Sequence, residues 1–152
     1  MCFNSLDGVA TPFVLVDEND RVYGVLRLIP YPLPDVPERV AGMRLWETEK
    51  LPGYGRTEAD FVATHKAHST VSHLDGRAVF SGAKVGRVAV YKSLRGTGMG
   101  RQLMRAAEEW LVRITSNMAD ASGPCEVQLR LESQMSASKF YERCVAADMN
   151  WL

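Results

Sequence analysis

The chain has 152 residues, which suits one domain. A domain of this size buries roughly 70% of the surface its unfolded chain exposes, so a core forms without covalent staples. Apolar residues make up 46% and charged residues 24%, proportions that argue against a disordered chain, and no apolar run approaches the ~20 residues of a membrane helix. The 18 basic residues balance 18 acidic ones, without the basic excess or stripe of a nucleic-acid binder, so any anionic ligand must be met by a local site. Cys2, Cys125 and Cys144 are odd in number and widely spaced, which reads as free thiols in a reducing compartment. The N-terminus lacks the features of a secretory signal, and the expected location is cytosolic or nuclear.

Phe13–Val16 and Val22–Ile29 are short apolar runs separated by the turn formers Asp17-Glu18-Asn19-Asp20, the pattern of an antiparallel hairpin, with Gly24 marking a bulge. From Pro30 to Lys84 the character changes. Five of the seven prolines fall in this stretch, so its first half is not regular sheet. Thr57 followed by Glu58 and Asp60 reads as a capped helix start, and Phe61, Thr64, Ala67 and Val71 as a weak apolar stripe. The stretch 31–84 is therefore expected to be a proline-rich insertion with one helix. Val85–Tyr91 reads as a buried strand. Gly98–Thr115 reads as a helix, because Leu103, Ala107, Trp110, Leu111 and Ile114 recur at helical spacing. Glu126–Glu132 alternates as a strand, and Ser136–Cys144 closes as a short helix. A strand–helix–strand crossover of this length implies a parallel pair. The expected fold class is α+β with a mixed sheet: an N-terminal hairpin, then a strand–helix–strand–helix core over 85–144, all in one domain.

The most informative residues are Arg95-Gly96-Thr97-Gly98-Met99-Gly100-Arg101, between strand and helix. Glycines let backbone approach a ligand and adopt positive φ. The free N–H groups of the first helical turn point at the same spot, which makes an anion site, and the two arginines add full charges. A helix terminus contributes roughly 0.3–1 kcal/mol to a nearby anion, whereas micromolar binding needs about 8 kcal/mol. The loop can place a phosphate, but the rest of a ligand must supply most of the affinity. A P-loop reading fails because no Gly-Lys-Ser/Thr is present. A dinucleotide fingerprint fails because its third glycine comes one place early, at Gly100.

The run from Gly86 to Met104 resembles the acetyl-coenzyme A motif of the GNAT superfamily of N-acetyltransferases, [RQ]xxGx[GA], matched by Arg95, Gly98 and Gly100. Its Gly-Arg-Val-Ala-Val opening is most similar to the ElaA-like branch. The resemblance implies acetyl-CoA as cosubstrate. It implies that backbone groups of Val88, Ala89 and Val90 pair with the pantetheine arm, and that Arg95, Gly96, Thr97, Gly98, Met99, Gly100 and Arg101 hold the pyrophosphate. Gln134, Ala137, Phe140 and Tyr141 resemble the family's NxxAxxFYE element, which implies a cofactor contact for Gln134 and protonation of the departing thiolate by Tyr141. With a tyrosine pKa near 10 and a thiol near 8.5, full transfer is uphill by about 2 kcal/mol. Tyr141 would act by hydrogen-bonding the thiolate or with a lowered pKa.

The resemblance covers Val85 to Arg143 well and the hairpin more loosely. Both ends depart from the family pattern, which places a strand and two helices before the hairpin and two further strands at the end. An incomplete sheet, slow turnover and self-association through open edges are therefore expected. The expected acceptor is a primary amine of a small molecule or peptide; the competing reading is a non-catalytic acyl-CoA binding module. Glu132 and His73 are candidate bases for the amine. His65 and His68 share a helix face, but no cysteine or carboxylate completes a metal spacing, and a solvated helix face is the expectation.

Overall fold

The computed structural model describes residues 5–33, 57–116, 125–132 and 135–148. A turn of 3₁₀ helix at Ser5–Gly8 leads into a hairpin of β1 (Thr11–Val16) and β2 (Val22–Pro30). Then come α1 (Glu58–His68), β3 (Val71–Leu74), β4 (Arg77–Val90), α2 (Met99–Ser116), β5 (Cys125–Leu131) and α3 (Ser138–Asp148). The hairpin closes because Asp17 Oδ1 accepts from the amides of Asn19 at 2.8 Å and Arg21 at 3.0 Å, while Asp20 takes φ 59°. Pairing then slips from Leu15 opposite Gly24 to Val16 opposite Val22, which leaves Tyr23 as the bulged residue beside the glycine.

β4 organises the sheet. Along one edge it pairs antiparallel with β3 through residues 77–80 and with β2 through residues 83–90. Along the other edge it runs parallel to β5, from Ala78 opposite Cys125 to Val85 opposite Leu131. The sheet is therefore mixed, and the fold class is α+β, as the residue pattern predicts. β4 begins eight residues before the predicted strand. Those residues, with β3, form a hairpin inside the stretch expected to be an insertion. Its turn puts Asp75 at φ 51° and Gly76 at φ 76°, the two consecutive positive-φ positions of a two-residue type I′ hairpin.

Two bulges bend β4. Three steps on β4, from Phe80 to Ala83, oppose two on β5, from Val127 to Leu129, and Gly82 takes φ 68° there. Further along, pairing with β2 passes from Leu28 opposite Val85 to Arg27 opposite Arg87, leaving Gly86 extra. This second bulge keeps Val88 and Val90 on the same face as Ala83 and Val85.

That face carries the core. α2 lays Leu103, Met104, Ala107, Trp110, Leu111 and Ile114 against Leu26, Leu28, Ala83 and Val85. Each fully buried aliphatic side chain here contributes about 1.5–3 kcal/mol. α1 packs beside α2. Its N-terminus has a capping box, in which Asp60 Oδ2 accepts from the Thr57 amide at 2.8 Å and Thr57 Oγ1 accepts from the Asp60 amide. Glu58 bridges to Arg113 and accepts from the Trp110 indole at 3.2 Å; the Arg113 hydrogen bond and charge hold its carboxyl below the usual range. The buried stripe of α1 differs from the expected one. Ala67 is exposed and Val71 belongs to β3, whereas Phe61 and Val62 face the core and His65 is 1% exposed. His65 Nε2 lies 2.9 Å from Thr11 Oγ1, and its ring stands edge-on to Trp110 at 5.1 Å. The expectation of a solvated histidine face fails for His65, because the hydroxyl of β1 satisfies a ring nitrogen inside an aromatic pocket.

A Cβ at Gly82 would lie 2.1 Å from the Gln128 carbonyl oxygen, whereas at Gly76, also at positive φ, nothing lies within 4 Å. Gly82→Ala is expected to cost more than the roughly 1–3 kcal/mol of backbone strain alone. Gly76→Ala is expected to cost no more than that strain. Urea unfolding of both variants checks this; equal losses would mean that β5 does not constrain β4 at Gly82.

Candidate functional site

The last pair between β4 and β5 is Val85 with Leu131. Beyond it β4 continues for five residues paired, among the described residues, to β2 alone, so one edge of Gly86–Val90 has no strand partner among them. Strand alternation decides which groups face that opening. The Tyr91 amide donates to the Tyr23 carbonyl on β2 at 2.7 Å, and the Ala89 carbonyl also points toward β2, beside Gly24. The N–H and C=O groups of Val88 and Val90 therefore point away from β2, into the gap. Arg95 Nε reaches the Val90 carbonyl there at 3.2 Å.

A short 3₁₀ turn, Lys92–Leu94, swings the chain from β4 into the glycine loop. Gly96 and Gly98 take φ 81° and 91°, and a Cβ on either would meet nothing within 4 Å. These two glycines are conformational, and the space above them is open. Gly100 has a different reason: a Cβ there would lie 2.9 Å from the Phe140 ring of α3. Thr97 Oγ1 caps the Leu94 carbonyl at 2.6 Å. The first bond of α2 runs from the Gln102 amide to the Gly98 carbonyl at 3.1 Å. The amides of Met99, Gly100 and Arg101 therefore have no backbone acceptor among the described residues.

These elements enclose a cleft of about 540 Å³ between the end of β4, the start of α2 and α3. Val88, Val90, Arg95, Gly96, Gly98, Gly100 and Arg101 line it from one side, and Ser136, Phe140, Tyr141, Arg143 and Cys144 from the other. Its described lining holds three arginines and no carboxylate, so the potential favours an anion. The structure thus brings most of the sequence-derived candidates together. The Ala89 backbone is turned to β2, because successive residues of a strand point their polar groups to opposite edges. Thr97 in the loop and Met99 at the first position of α2 sit outside the lining, and Gln134 lies outside the described residues.

Arg143 and Cys144 belong to the cleft although the motif did not single them out. For Cys144 the signal was present in the spacing: Phe140, Tyr141 and Cys144 fall at i, i+1 and i+4 of α3, on the face that Ala137 begins one turn earlier; Arg143 had no such signal. Of the candidate bases, His73 pairs with Ala78 in the β3–β4 hairpin, ten residues and about 30 Å along the strand from Val88. It is remote from the cleft. Glu132 follows the end of β5 and is 83% exposed, bridged to Lys84 at 2.7 Å. Among the described residues no three metal-capable side chains converge, and no helix is long and apolar enough to cross a membrane.

The acetyltransferase (GNAT) domain family matches residues 58–144, more than half of the chain, and the protein belongs to that family. No curated protein matches it. Among solved structures it is similar to a putative acetyl transferase from Pyrococcus furiosus, at 20% identity and TM-score 0.41, over 88% of this chain and 56% of that one. It is also similar to an acetyltransferase of Trypanosoma brucei, at 16% identity and TM-score 0.44, over 90% of this chain and 61% of that one. The chain thus spans less than two thirds of the length of either.

Tyr141 is half-buried, edge-on to Phe140 with ring centroids 4.9 Å apart. Burial, and secondarily the neighbouring Cys144 thiol, push its pKa above the ordinary tyrosine value. A raised pKa keeps the phenol protonated across the neutral range and well into the alkaline one. The direction is opposite to the lowered pKa that the sequence left as one alternative. Ultraviolet titration of tyrosinate should show one group ionising above the ordinary value of about 10, lost in Tyr141→Phe. An ordinary titration at this position would mean that the cleft is wetter than its lining implies.

Proposed function

We propose that the protein is an acetyl-CoA-dependent N-acetyltransferase that moves an acetyl group to a primary amine of a small molecule or peptide by direct attack in a ternary complex. The observation that carries this reading is the junction of two unlike surfaces. One is the open edge of β4, which offers amide and carbonyl groups of Val88 and Val90 to an extended ligand with amides of its own. The other is the three-arginine cleft at the amide end of α2. A ligand with a peptide-like arm joined to a phosphate-rich end fits both, and acyl-CoA has that build.

Acetyl-CoA supplies an activated acyl group, a thioester. The chain's own contributions follow from placement. Arg95, Arg101 and the amides of Met99, Gly100 and Arg101 would hold the pyrophosphate, with Arg143 as a third cation. The carbonyls of Val88 and Val90 and the Val88 amide would align the arm, with Arg95 giving up the Val90 carbonyl as the arm binds. The Val90 N–H, facing the gap, is the donor we assign to the carbonyl oxygen as negative charge develops on it. Tyr141 holds a proton at Oη for the sulfur that leaves.

Calorimetry with acetyl-CoA, then thioester cleavage against an amine panel, tests the whole. Gly98→Glu, adding a side chain and a negative charge at a positive-φ position, should abolish coenzyme A binding in a chain that still folds; undiminished binding would sink the phosphate-loop assignment. Tyr141→Phe should lower kcat about 10²- to 10⁴-fold and leave the coenzyme A Kd nearly unchanged. An unchanged kcat would reduce Tyr141 to packing. Cofactor binding without transfer to any amine would instead favour a binding module.

A further inference from the structure

The second face of the sheet carries buried Ile29 and, beside it, a row of cationic side chains. Leu26 and Leu28, Ala83 and Val85, and Leu129 and Leu131 turn toward the helices. By alternation Arg27, Lys84 and Arg130 turn the other way, and Arg87, opposite Arg27, joins them. Two carboxylates compensate part of this row: Asp7 pairs with Arg27 and Glu132 with Lys84, while Glu126 pairs with Arg77 at the start of β4. Arg87 and Arg130 have no carboxylate partner among the described residues.

Arg130 is held in place by neutral groups. Its guanidinium lies 4.2 Å from the centroid of the Tyr31 ring. It donates to the Tyr31 hydroxyl at 3.2 Å and to Gln128 Oε1 at 3.1 Å. Two donors of five are used, the charge is not neutralised, and the fork is already oriented. Tyr31, Lys84, Arg130, Leu131 and Glu132 line a cleft of about 330 Å³ around it. Glu132, 83% exposed, is the movable partner of the Lys84 bridge. An incoming anion can displace it with little loss of packing.

The position of this cleft gives it a meaning. Leu131, in its wall, belongs to the last pair before β4 and β5 part. The side toward α2 and α3 holds the first cleft, which leaves the side of Arg130 for a second reactant. Resting on the acetyltransferase reading, we infer that Arg130, with Lys84, forms the seat for a carboxylate carried by the acceptor amine. Val88 lies four residues beyond Lys84, about 13 Å along the strand. The substrate class is therefore an amine whose carboxylate is several bonds away, such as an ω-amino acid or a short peptide with its own C-terminal carboxylate.

The test separates this seat from the cofactor reading. Chemical-shift titrations of the protein, with and without coenzyme A, should use ε-aminocaproate, its primary amide and aminohexyl phosphate. Where transfer occurs, KM and kcat are measured for the same amines. The carboxylate form should bind about 10-fold or more tighter than the amide, the worth of one charge-assisted contact. Arg130→Gln should bring the two within about 2-fold, with coenzyme A affinity and kcat for the amide unchanged. Lys84→Met gives the same reading if Arg130→Gln does not fold. Equal binding of acid and amide, or a preference that survives both substitutions, overturns the seat even in a protein that binds coenzyme A. Tighter binding of the phosphate than of the carboxylate overturns the substrate class. Failure to bind coenzyme A overturns the cofactor reading alone, because the amine titration on the free protein still decides the seat.

Discussion

The candidate site depends on the parting of β4 and β5 beyond Val85 and Leu131. Backbone N–H and C=O groups carry a strong demand for partners, and a strand edge inside a fold is costly if it stays dry and unpaired. Here the edge at Val88 and Val90 is open to a cleft, and one of its carbonyls is already taken by Arg95 Nε. The side chain behaves as a local substitute for an extended ligand. The two β4 bulges make the parting possible. The bulge at Gly82 brings the strand so close to β5 that no Cβ fits, and the bulge at Gly86 turns its far end while keeping Val88 and Val90 over the core.

The second constraint couples the two motifs. Gly100 belongs to the loop that begins α2, yet the atoms nearest its missing side chain are those of Phe140 on α3. Phe140 in turn stands edge-on to Tyr141. Placement of the phenol over the cleft therefore depends on a glycine whose family motif concerns phosphate. This divides the three loop glycines by physical role. Gly96 and Gly98 allow a backbone conformation, whereas Gly100 allows two helices to approach.

Much of this was legible in the residues, for identifiable reasons. α2 has a strong helical period, and all five of its predicted core residues are buried. The glycine loop combines spacing, charge and context, and the cleft gathers most of its residues. What escaped did so because the deciding contact was nonlocal. The β3–β4 hairpin has a two-residue Asp-Gly turn, but His73 and Leu74 are exposed and gave no alternation to read. His65 is polar by type and buried by virtue of Thr11, 54 residues away. Ala89 sits in the right run of residues, but which edge its backbone faces follows from the register with β2. That register could not be derived before the Gly86 bulge was known.

The raised pKa of Tyr141 bears on how such a cleft would work. With ordinary values, moving a proton from a phenol to a thiolate is already uphill by about 2 kcal/mol, and desolvation of the phenolate by the surrounding apolar side chains increases that cost. A full proton transfer is therefore the less favourable use of this residue. The same desolvation strengthens a hydrogen bond from the neutral phenol to charge that develops beside it, because the local dielectric is low. In the proposed mechanism the half-buried phenol would stay protonated, and its contribution would grow as the sulfur becomes negative. Stabilisation that appears in the transition state but not in the ground state raises kcat without tightening the cofactor. That is why the expected loss in Tyr141→Phe falls on kcat and spares the coenzyme A Kd.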